Sequence, residues 1–337
     1  MRRDISIATE RLDKLNKRPQ VGDTQFVFAA DLGGTHLRAA IVDCKGQIRH
    51  HLKTSTPQAE KPNEIVRALV TAARECERRA AQLRGSISAV SVAVPGTVDV
   101  ANGIVVKAPN VPCLDGFRLA AALESELEWS AVLENDANAA AMGEMWQGAA
   151  RGYSAIVCIT LGTGVGGGII LNGQLWRGAD GSAAEVGHMA LDPFDGVPCA
   201  CGSRGCLEVY ASATAIVRLT REARPRYPGS VLHMTEDLTA ETVYLAGKQG
   251  DELAVEVFRR MGVYLGIGIA SLINLLNPEI IVVGGGVASG WSLFESHMRQ
   301  QVVERAFPLP ARSVRIVRAE CGDNAGLLGA AKLAFTS

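Results

Sequence analysis

Aromatic residues are scarce, with Phe, Trp and Tyr making up 5% of the 337 residues. Neither sign of charge is in surplus: 34 Lys+Arg against 35 Asp+Glu leave a formal net charge of −1. Without a basic excess there is no electrostatic footprint for a nucleic-acid polyanion or an anionic membrane, so neither is expected as a partner. The first 25 residues mix Arg, Lys, Asp and Glu with few apolar residues and contain no apolar core of a signal peptide. They read as a flexible extension. One uncharged stretch, 261–278, carries three Gly, Ser271, Asn274 and Asn277 and ends at Pro278. That composition suits a buried core helix better than a membrane span.

What is present is an ordinary globular composition, 47% hydrophobic and 20% charged, over a length that suits about two domains. Of eight cysteines, Cys44, Cys76, Cys113, Cys158 and Cys321 are scattered through apparent strands and helices. This is reduced, cytoplasmic usage. The other three stand close together after a histidine: His188, Cys199, Cys201 and Cys206 read H-x10-C-x-C-x4-C. Zn²⁺ favours four imidazole and thiolate ligands, and short Cys spacings let one loop wrap a metal. A full set of protein ligands makes such a zinc structural. A disulfide pair, or three small buried residues, are the alternatives. The surrounding stretch, 185–208, also holds Glu185 and Glu208, which a fixed loop would turn into rigid acceptors for hydroxyl groups.

Strands and helices alternate. Strands are expected over 26–30, 37–42 and 47–53, a helix capped by Asn63 over 63–83, a strand over 87–94, a helix over 116–126, a strand over 131–133 and a helix over 139–149. The opening pattern then recurs about 130 residues on, with strands over 155–159, 169–171 and 174–176. Helices over 211–222, 240–248, 252–276, 291–305 and 325–335 and strands over 279–283 and 314–318 complete a duplicated α/β chain of two lobes.

Glycine-rich turns follow three strands: Gly33-Gly34 with Thr35, Gly162-Thr163-Gly164 running on to Gly168, and Gly284-Gly285-Gly286. Facing turns in two lobes can grip a polyphosphate with backbone N–H groups, and Asp31 adds a carboxylate that can reach Mg²⁺ directly or through water. Residues 162–167 also fit G-x-G-x-x-G, but that fingerprint needs a helix next, and a strand and an Asn-Gly hairpin follow instead. Asp136, at a strand end before a helix, is either a helix cap or a general base with Asn135 holding the substrate.

Seven blocks resemble the ROK family of sugar kinases and sugar-responsive repressors, most closely its glucokinase branch: DLGGT (31–35), ENDANAA (134–140), LGTGVGGG (161–168), EVGH (185–188), CACGSRGCLE (199–208), NPEIIVVGGG (277–286) and AGLLGAA (325–331). The resemblance implies the actin/hexokinase-like, ribonuclease H-like duplicated ATPase fold, with two lobes closing over sugar and ATP. Residues 26–134, joined by a C-terminal helix at 323–337, would form the small lobe and 135–322 the large one. Asp136 would be the catalytic base on a hexose 6-hydroxyl. Gly96, Asn110, Asn135, Glu185, His188 and Glu208 would contact the sugar. Asp31, Gly33, Gly34, Thr35 and the 162–164 turn would hold phosphates, with 284–286 beside the adenosine. His188 would place one ring nitrogen on zinc and direct the other at the sugar.

The activity implied is ATP-dependent phosphorylation of glucose, with an N-acetylhexosamine, mannose or fructose kinase as the alternative within the class. A homodimer or homotetramer is the family-level expectation. A sugar-responsive regulator is the alternative of another class, though 25 residues before the first strand are few for a winged helix-turn-helix. The sequence departs from the family pattern at Phe194-Asp195, which lengthen the metal loop, at Cys113-Leu114 and at His36.

Overall fold

The computed structural model describes residues 24–336, so the expected extension lies outside the described residues up to position 23. A meander opens the chain: β1 (Thr24–Leu32), β2 (His36–Asp43) and β3 (Ile48–Ser55). Helix α1 (Pro62–Gln82) leads to β4 (Gly85–Val94), which is followed by a two-stranded ribbon of β5 (Thr97–Asp99) and β6 (Ile104–Lys107). Helix α2 (Leu119–Leu127) then leads to β7 (Ser130–Asn135). The sheet order is β3-β2-β1-β4-β7, antiparallel within the meander and parallel from β1 to β7.

After α3 (Asp136–Gln147) the same plan repeats. Strands β8 (Ile156–Leu161), β9 (Val165–Leu171) and β10 (Gln174–Leu175) form the second meander. Helices α4 (Glu208–Ala211), α5 (Ala213–Ala223), α6 (Ala240–Lys248) and α7 (Glu252–Leu276) precede β11 (Ile280–Gly284). Then come α8 (Trp291–Arg305), α9 (Pro308–Ser313), β12 (Arg315–Arg318) and α10 (Ala325–Thr336). The order β10-β9-β8-β11-β12 matches the first sheet strand for strand. The recurring pattern in the sequence is therefore a repeated topology.

The central strands explain themselves. All five residues of β11, Ile-Ile-Val-Val-Gly, are buried, as expected of a parallel strand covered on both faces. Strand β3 lies at a sheet edge, and its alternation of half-buried and exposed residues fits one wet face. Helix α7 starts at Asp251, whose side chain accepts from the Ala254 amide, and ends at Asn277 in the left-handed region just before Pro278. Leu265, Ile269 and Ile273 are fully buried on one face of it, and no helix of the described residues is long and apolar enough to cross a membrane.

Several local expectations are corrected. Asn63 does not cap α1: Lys61 precedes the helix and Pro62 fills its first turn, where a missing N–H costs nothing. Helix α3 begins at Asp136, three residues earlier than expected, because Asn135 is its cap. The single helix expected over 211–222 is two, α4 and α5, interrupted at Ser212, whose hydroxyl accepts from the Ala215 amide. The β5–β6 ribbon and α9 are too short to have announced themselves by periodicity.

Helix α10 returns to the first sheet. Leu327, Leu328, Ala330 and Ala331 pack against Val27 and Ala29 of β1 and Ala40 and Val42 of β2. It also lies against α3 so closely that a β-carbon at Gly329 would collide with the Ala139 carbonyl. This contact fixes α3, and with it Asp136, between the two sheets.

Candidate active site

The carboxyl ends of β1, β7, β8 and β11 converge on one cleft of about 620 Å³. Such ends are where open α/β sheets collect ligands. Asp31 closes β1, Asn135 and Asp136 span the junction of β7 and α3, and Gly162, Thr163 and Gly164 form the turn between β8 and β9. Gly33, Gly96 and Asn110 line the cleft from the first half of the chain, and Glu185, His188, Glu208 and Gly285 from the second.

Not every expected residue lies there. Gly34 is packed on Asn110, with room for a β-carbon only 3.0 Å from the Asn110 Cβ. Thr35 is exposed and offers its carbonyl to the Thr56 amide. Gly284 lines a narrower recess of about 190 Å³ behind Asp31 and Asp136. Gly286 lines a separate cavity of about 470 Å³ with Ile216, Tyr244, Phe258 and Val287, which meets the cleft at Gly162 and Thr163.

The junction at Asn135 is built from hydrogen bonds. Asn135 Oδ1 accepts from the Ala137 and Asn138 amides at 2.9 and 3.0 Å, and its Nδ2 donates to the Gly96 carbonyl at 2.8 Å. The side chain that lines the cleft is thus committed to shaping it. Gly96 makes this possible, since its φ of +98° belongs to the region that favours glycine. Asp136 Oδ1 accepts from the Ala137 amide at 2.8 Å. Burial, with the neighbouring charges of Asp31 and Glu185, pushes Asp136 up to about 6 against the opposing backbone hydrogen bonds. Burial likewise raises Asp31, against the pull of Arg38.

Arg38 is the cleft residue that sequence reasoning missed. It faces Asp31 across the β1–β2 pair, with Nη1 3.9 Å from Asp31 Oδ2, and its Nη2 donates to Asp323 at 3.1 Å. The antiparallel register is the signal that would have found it.

Residues 185–208 wrap round the cysteines. His188 ends a short 3₁₀ turn, Val186–His188, and Pro198 and Arg204 form an isolated bridge across the cysteine turn. One ligand atom from each of His188, Cys199, Cys201 and Cys206 falls within 4.8 Å of the others. Cys199 Sγ is 3.7 Å from His188 Nδ1, and Cys201 Sγ is 3.8 Å from Cys206 Sγ. A tetrahedral zinc with bonds of about 2.3 Å to sulfur requires sulfur–sulfur edges of about 3.8 Å. The donor set therefore fits Zn²⁺ in kind and spacing. The cysteines are free, which removes the disulfide alternative. With Nδ1 facing the thiols, Nε2 is the ring nitrogen left for the cleft. Phe194, in the lengthened part of the loop, is 83% exposed, so the insertion bulges outward away from the ligands.

The ROK family model matches residues 27–337. The glucokinase of Thermotoga maritima is 34% identical over 311 residues, covering 91% of this chain and 96% of the relative. Among solved structures, the ROK family glucokinase from Streptomyces griseus in complex with glucose and AMPPNP superposes with a TM-score of 0.78 at 34% identity, over 93% of this chain and 100% of that one. A ROK family transcriptional regulator, a homologue of the E. coli MLC protein, superposes at 0.84 with 28% identity, over 91% of this chain and 77% of that one.

Proposed function

This chain belongs to the ROK family, with the actin/hexokinase-like fold, and from that premise we propose that it is an ATP-dependent kinase that phosphorylates the 6-hydroxyl of glucose. One observation carries the reading: Asp136, a carboxylate held near 6, stands between hydroxyl-accepting groups and a glycine turn that opens on an apolar cavity. A general base poised near neutrality is what proton abstraction from an alcohol requires.

Glucose would occupy the cleft with its hydroxyls towards Glu185, Glu208, Asn110 and the free nitrogen of His188. Ionised Asp136 takes the proton of the 6-hydroxyl. The oxygen bonds to the γ-phosphorus as the bond to the β–γ bridging oxygen breaks, and ADP leaves. Gly162, Thr163 and Gly164 offer backbone N–H groups to the phosphates. The cavity bounded by Ile216, Tyr244, Phe258 and Val287 suits the apolar faces of the base. Asp31 would hold, directly or through water, the Mg²⁺ that accompanies the nucleotide and would supply charge shielding to the phosphates. His188, Cys199, Cys201 and Cys206 would hold a Zn²⁺ that braces the sugar-recognition loop, with no open position for it to join the chemistry. Residues 26–134 with 323–337, and residues 135–322, are the lobes we expect to close over the two substrates. Free cysteines support a cytoplasmic location, and exposed Leu275, Val303, Phe307 and Leu309 support a homodimer or homotetramer.

A coupled assay with glucose, mannose, fructose and the N-acetylhexosamines, each with ATP, tests the function. Glucose should give the highest kcat/KM, and ATP turnover indifferent to every sugar would overturn it. The likeness to a transcriptional regulator favours sugar sensing as a second reading. Salt-dependent DNA binding without sugar phosphorylation would establish that one instead.

A further inference from the structure

A buried charge beside the cleft has no part in the chemistry above. Glu134, the last residue but one of β7, is 1% exposed. Its two oxygens serve different halves of the chain. Oε1 accepts from the Asn135 amide at 3.0 Å and from Asn138 Nδ2 at 3.1 Å, both at the start of α3. Oε2 receives Arg177, from Nε at 2.8 Å and Nη2 at 2.7 Å. Arg177 lies just beyond β10, in the other sheet.

Arg177 also begins the turn that delivers Glu185. Its carbonyl accepts from the Ala183 amide at 3.1 Å. Within this turn Gly181 sits against the Val98 carbonyl of β5, and Ala184 holds a φ of +68°, a conformation an alanine keeps only where its surroundings impose it. One guanidinium thus ties the floor of the cleft, Asn135 and Asp136, to the wall that carries Glu185.

We propose that Arg177 is a positioning residue for the acceptor hydroxyl: through Glu134 it fixes Asn135 and the start of α3, and through its own backbone it fixes Glu185. This rests on the sugar-kinase reading. A planar guanidinium delivering two N–H groups to one carboxylate oxygen is a geometry that lysine does not reproduce. Stripped of Arg177, the buried carboxylate keeps only the two hydrogen bonds on Oε1 and loses its counter-charge. Sugar affinity and kcat should therefore depend on Arg177, and nucleotide affinity should not.

The experiment is steady-state kinetics of Arg177→Lys, Arg177→Met and the double variant Arg177→Met with Glu134→Gln, beside the parent, with thermal melts of each. We expect Arg177→Met to raise the glucose KM at least tenfold and to lower kcat by a similar factor, with the ATP KM within twofold of the parent. Arg177→Lys keeps the charge, so it decides the matter if Arg177→Met fails to fold. It should melt near the parent yet still raise the glucose KM several-fold. The double variant, free of the orphaned carboxylate, should melt above Arg177→Met without regaining parental glucose KM. Lower melting temperatures with both KM values and kcat unchanged would reduce Arg177 to a structural pair and overturn the proposal. A parent that phosphorylates no hexose would overturn the functional reading instead, and this inference with it.

Discussion

Glu208 Oε2 accepts a hydrogen bond from the Val165 amide at 3.0 Å. The first of these residues follows the cysteine cluster, and the second opens β9, directly after the glycine turn. The loop expected to read sugar and the turn expected to hold phosphate are therefore joined directly. Glu208 presses on the turn so closely that a β-carbon at Gly164 would collide with its Oε2.

Gly164→Ala should consequently affect both substrates. The added methyl displaces the Glu208 carboxylate, which leaves the Val165 amide unpaired and shifts a sugar contact together with a phosphate contact. We expect KM for glucose and for ATP each to rise about tenfold, in line with the ~1.4 kcal/mol that a lost hydrogen bond typically costs. Initial-rate kinetics with each substrate varied would check this. A rise in the ATP KM alone would mean that Glu208 does not face the sugar.

Asp136→Asn should lose at least a thousandfold in kcat, within the range of a missing general base, while glucose binding stays measurable by titration calorimetry. The same change should stabilise the protein. A carboxyl raised to about 6 when folded, against about 3.9 unfolded, binds its proton more readily in the folded state. Its contribution to stability is full below about pH 4 and is lost as the pH rises through about 6. Asparagine escapes that loss. The variant should gain up to about 3 kcal/mol over the parent at pH 8 and almost nothing at pH 4, as urea melts at the two pH values would show.

The rate of the parent should fall on the acid side with an apparent pKa near 6, because only ionised Asp136 accepts a proton. Asp31 contributes to that elevation, so Asp31→Asn should move the acid limb to lower pH whatever it does to the maximal rate. A pH profile of kcat/KM for glucose tests the sign. An unmoved limb would place the titrating group elsewhere.

Much of this site is legible in the sequence, because the chemistry there needs particular residue types at short spacing. His188 and the three cysteines announce themselves, and α6, α7 and α8 occupy the spans that apolar periodicity assigns. What periodicity does not carry is contact across the fold. Arg38 looks like any polar residue of a strand until the β1–β2 register sets it opposite Asp31. Glu134 reads as one letter of a motif until Arg177, 43 residues on, is found against it. Asn135 reads in the sequence as a sugar contact; that its amide also joins Gly96 to the start of α3, a closure between segments 39 residues apart, is something no local pattern encodes.

The cysteine cluster gives the last prediction. Cys206 is fully buried and bonds backwards to Ala190 through an isolated bridge, which places it at the root of the loop. Burial and the neighbouring thiols push its own thiol up to about 12, and Zn²⁺ is a species that makes its thiolate favourable there. Cys206→Ser should therefore lose zinc, as elemental analysis of the purified protein would show. The freed loop releases His188, on the sugar side, while the 470 Å³ cavity with Ile216 and Phe258 stands on α5 and α7 and needs no brace. The glucose KM should rise at least tenfold, and the ATP KM should change much less. A zinc-free variant with parental glucose kinetics would show that the metal does not shape the sugar site.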